Sequence, residues 1–247
     1  MERHHVELDA PPFGRAGTVI RYGHHGRPVL VFPSEAGRPW DYENNGMVGA
    51  VSHLIDAGRA KLYCVDSFDG ASWSNASLPL EERARAHEHY ESWILDQVVP
   101  WIHEDCGGPQ DVATLGVSLG AFHAVNFALR RADAFSLGIG ISGNYDPSSW
   151  DAWGERGDAA YFNNPFDSLA NAGGDHLEWL RSRLSVLLVC GQGMWEDTTG
   201  ALESSKRLAD LLGAKGIRCE LDLWGHDVPH DWPSWRNQLA HHLQRFV

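Results

Sequence analysis

The sequence predicts an α/β fold in which a mostly parallel, twisted sheet is covered by helices on both faces. Short apolar, β-branched runs alternate with segments of helical period along all 247 residues. Several of these runs, such as 135–142 and 185–190, are apolar without a regular polar alternation. Such runs are typical of strands that are buried on both sides, as in a sheet packed between two helical layers.

The order of the elements follows from the spacing of these runs and of the turn residues between them. The predicted strands are 6–8, 18–22, 29–32, 61–66, 112–117, 135–142, 185–190 and 218–224. The predicted helices are 47–57, 80–106 with a bend or break near Pro100, 119–131, 201–214 and 233–246. We expect the first two strands to form an antiparallel edge that leads into the parallel part of the sheet.

Length and composition favour one domain that spans residues 1–247. A chain of this size with 43% hydrophobic residues can bury a large core, and α/β folds of this length often form a single unit. Residues 144–183 are a long segment between two strands and are rich in aromatic and polar side chains. We interpret this segment as an insert, either a lid or a pocket wall, that comes before the predicted strand 185–190.

Charge and hydropathy argue against several classes of partner. Lys and Arg number 20 against 33 Asp and Glu, a formal net charge of −13, so the average surface field repels nucleic acid and anionic lipid. The first residues contain no apolar run of the signal-peptide type, and no later segment is long and apolar enough to span a bilayer. We therefore expect a soluble, cytoplasmic protein without membrane or nucleic-acid partners.

Neither cysteine nor histidine spacing indicates a metal or another cofactor. The four cysteines are far apart without a C-x-x-C pair, so we expect reduced thiols. Six of the 14 histidines occur as adjacent pairs, at 4–5, 24–25 and 241–242, and no H-E-x-x-H pattern is present. We expect no metal site and no cofactor.

The clearest chemical motif is Gly116-Val117-Ser118-Leu119-Gly120, a G-x-S-x-G pattern. An apolar strand runs directly into this motif, and a helical segment opens directly behind it. A serine at such a strand-to-helix turn is held in a strained conformation that exposes its hydroxyl, as in the α/β-hydrolase fold. We therefore predict an α/β-hydrolase fold with Ser118 as the nucleophile.

A serine nucleophile needs a histidine base, which in α/β-hydrolases follows the last strand. The loop after the predicted strand 218–224 contains two candidates, His226 and His230. We favour His230 because it lies just before the final helix, and we keep His226 as the alternative, whose other role would be to brace the loop.

The carboxylate that orients the base is expected after a late strand. The loop and helix after strand 185–190 offer Glu196, Asp197 and Glu203. We favour Glu196, with Asp197 and Glu203 as alternatives. An acidic residue at this place can also complement the dipole of the following helix, and Asp197 fits that role best.

Backbone N–H groups near the nucleophile are expected to stabilise the oxyanion. We predict the N–H of Leu119 as one donor, and the N–H of Ser34 or Glu35, after the third strand, as the other. Trp73 and Trp195 lie in loops at the same predicted face, so we expect them to line an acyl or aryl pocket.

Four segments carry a resemblance to a known family: 116–120 (GVSLG), 32–34 (FPS), 190–193 (CGQG) and 230–235 (HDWPSW). With them the chain resembles the esterase D and mycolyltransferase-like branch of α/β-hydrolases over nearly its whole length. The resemblance implies acyl chemistry by a Ser–His–acid triad without a cofactor. It supports the histidine that opens the 230–235 segment as the base, but for the acid it favours Glu203. The absence of a secretory signal argues against the cell-envelope role of the mycolyltransferases.

We therefore predict a serine carboxylic-ester hydrolase that acts on a small or medium-sized ester through an acyl-enzyme. One alternative is an acyltransferase that uses the same triad and passes the acyl group to an alcohol or thioester acceptor. A second alternative is a catalytically inactive binding protein on the same fold, because a fold does not guarantee activity. Every residue type that the triad requires is present, which favours an enzyme.

Overall fold

The computed structural model describes all residues from 1 to 247, and one sheet of eight strands organises them. The strands have the following bounds: β1 Arg3–Ala10, β2 Arg15–Tyr22, β3 Arg27–Phe32, β4 Ala60–Val65, β5 Val112–Val117, β6 Phe135–Ile141, β7 Ser185–Cys190 and β8 Arg218–Leu223. Their order across the sheet is β1-β2-β4-β3-β5-β6-β7-β8. The pairings of β1 with β2 and of β2 with β4 are antiparallel, and all the others are parallel. The predicted antiparallel edge and parallel body of the sheet are confirmed.

Helices fill the crossings between the parallel strands. Their bounds are α1 Asp41–Asn44, α2 Met47–Ala50, α3 Ser52–Asp56, α4 Leu80–Trp93, α5 Val99–Asp105, α6 Leu119–Arg130, α7 Asp158–Phe162, α8 Pro165–Ser168, α9 Gly174–Arg183, α10 Ala201–Ala214 and α11 Trp232–Leu243. Short 3₁₀ turns cover Pro11–Phe13, Asp69–Ala71 and Pro147–Ser149. No helix combines the length and the apolar composition needed to cross a membrane.

The core has two layers, one on each face of the sheet. On β3, Leu30 and Phe32 pack into one hydrophobic cluster, whereas Val29 and Val31 pack into the other. Successive side chains of a strand point to opposite faces, so an apolar run of this kind is buried only if both faces are covered. The predicted α/β class, with helices on both sides of the sheet, is confirmed.

The predicted helix 47–57 is wrong in detail, whereas the bend or break predicted near Pro100 in the helix 80–106 is confirmed. The predicted helix 47–57 is divided into α2 and α3 at Val51, near Gly49 and in a segment with β-branched residues, both of which weaken helix formation. The predicted helix 80–106 is irregular before Pro100, where Ile94–Val98 forms a π-helical turn between α4 and α5. Pro100 has no N–H, and its ring clashes with the carbonyl four residues earlier. The regular α-helical hydrogen bonding is therefore interrupted on its N-terminal side.

The segment 144–183 contains α7, α8 and α9 instead of a long irregular loop. Near its beginning, Asn144, Trp150 and Asp151 line the same cavity as Ser118. The first part of this segment therefore forms part of a pocket wall.

Candidate active site

Ser118 lies at a sharp turn between β5 and α6. Its φ is 55° and its ψ is −123°, a conformation that L-residues with a side chain rarely adopt. Two backbone hydrogen bonds hold the turn: the N–H of Ser118 donates to the carbonyl of Ile141 (2.9 Å), and the N–H of Ala121 donates to the carbonyl of Ser118 (3.0 Å). The turn lifts the Ser118 side chain above the carboxyl ends of the parallel strands.

The two glycines of the motif are required by close backbone packing. A Cβ at Gly116 would lie 1.9 Å from the carbonyl oxygen of Gly120. A Cβ at Gly120 would lie 2.1 Å from the carbonyl oxygen of Pro33, which follows β3. Only glycine fits at either position, and the second contact brings α6 against the loop that follows β3.

His230 and Glu196 complete a chain of hydrogen bonds with Ser118. His230 Nε2 is 3.0 Å from Ser118 Oγ, and His230 Nδ1 is 2.9 Å from Glu196 Oε2. With Nδ1–H donating to the carboxylate, Nε2 is left to accept the serine proton. The His230 ring also packs edge-on against Trp235 of α11, with 4.9 Å between ring centroids, which restricts its orientation.

Glu196 is fully buried and has several hydrogen-bond donors besides His230. Ser142 Oγ donates to Oε1 at 2.5 Å, the N–H of Gly191 donates to the same oxygen at 3.3 Å, and Cys190 Sγ donates to Oε2 at 3.4 Å. Burial, followed by the charge of Glu196, raises the pKa of the Cys190 thiol, which therefore stays protonated and can donate. These bonds fix the carboxylate and compensate for its removal from water.

The loops after β7 and β8 hold each other in place and so bring Glu196 to His230. The N–H of Gly193 donates to the carbonyl of Val228 (2.9 Å), and the N–H of His230 donates to the carbonyl of Met194 (3.0 Å). Because β7 and β8 are parallel neighbours, these two loops leave the sheet at the same edge.

Three backbone N–H groups near Ser118 are free to bind an oxyanion. The N–H groups of Leu119, Ser34 and Glu35 donate no hydrogen bond within the protein. Leu119 and Glu35 line the cavity that contains Ser118 and His230, whereas Ser34 does not line it. The assignment of the oxyanion donors to Leu119, Ser34 and Glu35 stays a prediction.

The cavity at Ser118 has a volume of about 340 Å³. Its lining combines aromatic and apolar side chains with polar ones on both sides of the nucleophile. The lining residues are Glu35, Trp73, Ser74, Ala76, Arg83, Ser118, Leu119, Ser142, Asn144, Trp150, Asp151, Thr199, Ala201 and His230. Trp73, predicted as a pocket residue, is among them and is only 3% exposed.

The prediction that Trp195 lines the pocket is wrong. Trp195 is 51% exposed and does not line the cavity. Its φ of 72° marks a tight turn in which the Trp195 side chain faces solvent while the adjacent Glu196 is fully buried.

The structure does not bring the alternative acids or the alternative base to Ser118. Glu203 is exposed on the first turn of α10, and Asp197 accepts a hydrogen bond from the backbone N–H of Thr198 (2.8 Å). His226 is exposed, and its Nδ1 is 3.3 Å from the carbonyl oxygen of Gln192, the loop-bracing contact considered as its other role. Glu203, which the family resemblance favoured as the acid, therefore does not contact His230.

Three residues around the site were missed by the sequence reasoning: Ser142, Asp69 and Arg83. Ser142 follows β6, so its place at the carboxyl edge of the sheet was a signal that could have been used. Asp69 accepts hydrogen bonds from the N–H of Ala36 (3.0 Å) and from His123 Nε2 (2.8 Å), and so supports the loop after β3 from behind. Nothing in the sequence distinguishes Arg83 from the other charged residues of α4.

One group of potential metal ligands lies on β8 and α11: Asp222, His241 and His242, with ligand atoms within 4.8 Å of one another. His242 Nε2 already donates to Asp222 Oδ2 (2.8 Å), and Arg245 donates to His242 Nδ1 (3.1 Å). These bonds occupy both ring nitrogens of His242, and none of the three residues lines the cavity at Ser118. Asp222 and His242 are thus held together by hydrogen bonds within the protein.

A serine raised at a strand-to-helix turn of a mostly parallel sheet, with a histidine from the closing loop beside it, defines the class of serine hydrolases with the α/β-hydrolase fold. The Esterase family model matches residues 54–246, and the chain belongs to this family. The predicted enzyme class, a serine esterase, is thereby confirmed. A search of curated proteins finds no match.

Solved structures with the same fold cover nearly the whole chain. A ferulic acid esterase superimposes with a TM-score of 0.76 at 17% identity, over 98% of this chain and 96% of that chain. Mycobacterium tuberculosis MPT51 (FbpC1) gives 0.73 at 14% identity, over 99% and 97%. The S-formylglutathione hydrolase FrmB from Staphylococcus aureus gives 0.69 at 13% identity, over 99% and 96%. At these identities the similarity establishes the fold, and the predicted α/β-hydrolase architecture is confirmed.

Proposed function

We propose that this protein hydrolyses a small or medium-sized carboxylic ester through an acyl-enzyme formed on Ser118. The observation that carries the proposal is the continuous contact from Ser118 Oγ through His230 to the buried Glu196, at 3.0 and 2.9 Å. Membership of the Esterase family and the cavity of about 340 Å³ beside Ser118 support it. Two of the similar structures are a ferulic acid esterase and an S-formylglutathione hydrolase. Their names are compatible with an ester or thioester as the substrate of this protein.

In the proposed reaction, Ser118 Oγ attacks the ester carbonyl while His230 Nε2 takes the serine proton. The N–H groups of Leu119 and Glu35 stabilise the negative charge that develops on the carbonyl oxygen. Glu196 holds the ring and stabilises the imidazolium, which then gives its proton to the departing alcohol. A water molecule, activated by His230, attacks the acyl-enzyme and releases the acid and the free Ser118.

The test combines turnover of 4-nitrophenyl butyrate with covalent labelling by a fluorophosphonate, located by mass spectrometry. We expect the label on Ser118 and no label in Ser118→Ala. We expect Ser118→Ala and His230→Ala each to lower kcat by about 10⁴-fold or more, because the members of a triad act as a unit. His226→Ala is the matched control from the same loop and should stay within about twofold of the parent, since surface substitutions are usually small in effect. Normal turnover by Ser118→Ala would disprove the proposal.

Hydrolysis and acyl transfer are separated by product analysis with and without glycerol as an added acceptor. The proposal expects free butyrate as the main product in both conditions. A butyryl ester of glycerol as the main product would instead identify an acyltransferase that uses the same residues.

A further inference from the structure

The cavity at Ser118 has a buried wall, formed by Trp73 and Arg83, each only 3% exposed. Both residues have an N–H group that is buried and without a hydrogen-bond partner: Nε1 of Trp73 and Nη2 of Arg83. Buried polar groups in folded proteins are nearly always hydrogen-bonded, so two orphaned donors on residues that line one cavity need an explanation. An acceptor supplied by a bound molecule is such an explanation.

Two backbone carbonyls fix the Arg83 guanidinium, but no carboxylate balances its positive charge. Its Nε donates to the carbonyl of Leu78 (2.8 Å) and its Nη1 donates to the carbonyl of Trp150 (3.2 Å), but it forms no ion pair with a carboxylate. The contrast is Arg130, whose guanidinium pairs with Glu91 at 2.8 Å. Arginine is almost never fully buried without a counter-charge, and its planar fork suits a carboxylate.

The other residues of the cavity would orient a charged molecule relative to this buried wall. Trp73 and Trp150 meet edge to face, with 5.6 Å between ring centroids, and provide an apolar surface beside Arg83. The carboxylates of the cavity, Glu35 and Asp151, belong to exposed residues. An anionic group would be repelled by these two exposed residues and attracted to the buried wall, which orients a molecule with one charged end.

We propose that Arg83, assisted by the Trp73 indole N–H, is a specificity site for a carboxylate carried by the substrate at a distance from the scissile ester. The substrate class is then a half-ester of a dicarboxylic acid or an ester of a carboxyl-bearing alcohol or phenol. This inference rests on the ester hydrolysis proposed above and assigns the substrate chemistry of the same cavity. The carboxylate replaces the missing counter-ion of Arg83 and accepts hydrogen bonds from both orphaned donors.

The test uses pairs of esters that differ mainly in charge. For a carboxylate on the acyl side, mono-4-nitrophenyl adipate is compared with 4-nitrophenyl hexanoate. For a carboxylate on the alcohol side, 4-acetoxybenzoate is compared with 4-acetoxybenzamide. We expect the parent enzyme to prefer the anionic member of at least one pair in kcat/KM by about tenfold to a hundredfold, the range expected for charge-assisted hydrogen bonds.

Arg83→Met is expected to abolish this preference, mainly through a higher KM for the anionic ester, while the neutral ester is still hydrolysed. Because Arg83 also binds the carbonyls of Leu78 and Trp150, Trp73→Phe provides a second test that leaves the guanidinium in place. It removes one of the two donors to the carboxylate and should lower the preference by about tenfold, the lower end of the range for a hydrogen bond to a charged group. Lys206→Met is the control, because it removes one positive charge from a lysine that forms no hydrogen bond or ion pair, and the preference should be unchanged.

Two results would overturn the proposal: a parent enzyme with no anionic preference in either pair, or a preference that survives in Arg83→Met. Both are distinct from a failure of the proposed function. If the proposed ester hydrolysis itself failed, the fluorophosphonate would not label Ser118, and the neutral esters would not be turned over at all.

Discussion

Two histidine–carboxylate pairs, His230–Glu196 and His123–Asp69, differ in what the second ring nitrogen of the histidine reaches. His230 contacts Glu196 at 2.9 Å, and His123 contacts Asp69 at 2.8 Å. Both carboxylates are buried. The free nitrogen of His230 reaches Ser118 Oγ, whereas Nδ1 of His123 is buried without a partner.

The difference shows that the pair alone does not define a catalytic base. His230 comes from a loop at the carboxyl edge of the sheet and keeps 11% of its side chain exposed, so its ring nitrogen can exchange a proton with a substrate. His123 lies inside α6, fully buried, and its carboxylate partner is engaged with the N–H of Ala36. The His123–Asp69 pair therefore positions the backbone at Ala36, whereas the His230–Glu196 pair is placed for the proposed proton transfer.

The sharpest test of this comparison is Glu196→Gln. The amide would present an N–H to His230 Nδ1, which forces the tautomer in which Nε2 carries the proton and cannot accept one from Ser118. We expect kcat for 4-nitrophenyl butyrate to fall by about 10³- to 10⁴-fold, with little change in KM.

Glu203→Gln is the matched control, since it makes the same chemical change on α10 at an exposed residue. Its kcat should stay within about twofold of the parent, as for other surface substitutions. A large loss in Glu203→Gln together with near-normal activity in Glu196→Gln would assign the acid to Glu203, as the family resemblance implied.

A smaller effect is expected for Asp69→Asn. Loss of the charged acceptor weakens the hydrogen bond from Ala36, next to Glu35, and loosens a donor of the proposed oxyanion site. Complete loss of such a donor lowers kcat by about 10²–10³-fold, so we expect about tenfold for a loosened one. KM should change much less than kcat, with kcat expressed per folded enzyme so that a general loss of folding is not counted as a loss of turnover.

Asp222→Asn is the control for Asp69→Asn, because Asp222 also contacts a histidine, His242, but lies outside the cavity. We expect a lower melting temperature without a change in kcat for the folded enzyme. Equal effects of the two variants on kcat would contradict a positioning role for Asp69.

The third test uses His87, which stacks on His123 at 5.0 Å but contacts no carboxylate. Burial, together with the charges of His123 and Arg130, holds the pKa of His87 well below its ordinary value. Unfolded histidine takes up a proton near pH 6.5, so below that pH the unfolded state binds a proton that native His87 does not. The free energy of unfolding therefore decreases as the pH falls below this value, because the unfolded state gains the proton.

His87→Gln removes this titration. Below about pH 6, the slope of the unfolding free energy against pH should become less steep by up to about 1.4 kcal/mol per pH unit, measured by urea denaturation. His89→Gln, an exposed histidine of the same helix, should leave the slope unchanged. An unaltered slope in His87→Gln would show that His87 is protonated in the native state.

Local sequence patterns determined the sheet, the chain order of the elements and the position of Ser118, the proposed nucleophile. Strands β5 and β7 and helix α10 were predicted with their observed bounds, because an apolar run or an amphipathic period is a property of neighbouring residues. The same holds for Ser118, because Gly116 is required by a contact at the turn itself, and for the histidine loop before α11.

Tertiary structure decided the contacts between residues that are distant in the chain. Three carboxylates within 196–203 were candidates in sequence, with Glu196 favoured. The packing of the β7 loop against the β8 loop turned Glu196 inward and Trp195 outward. Ser142, Asp69 and Arg83 gained their places in the same way, because each contacts a loop that is distant in the chain. Hydrogen bonds across such separations depend on the folded path of the backbone, which no local period encodes.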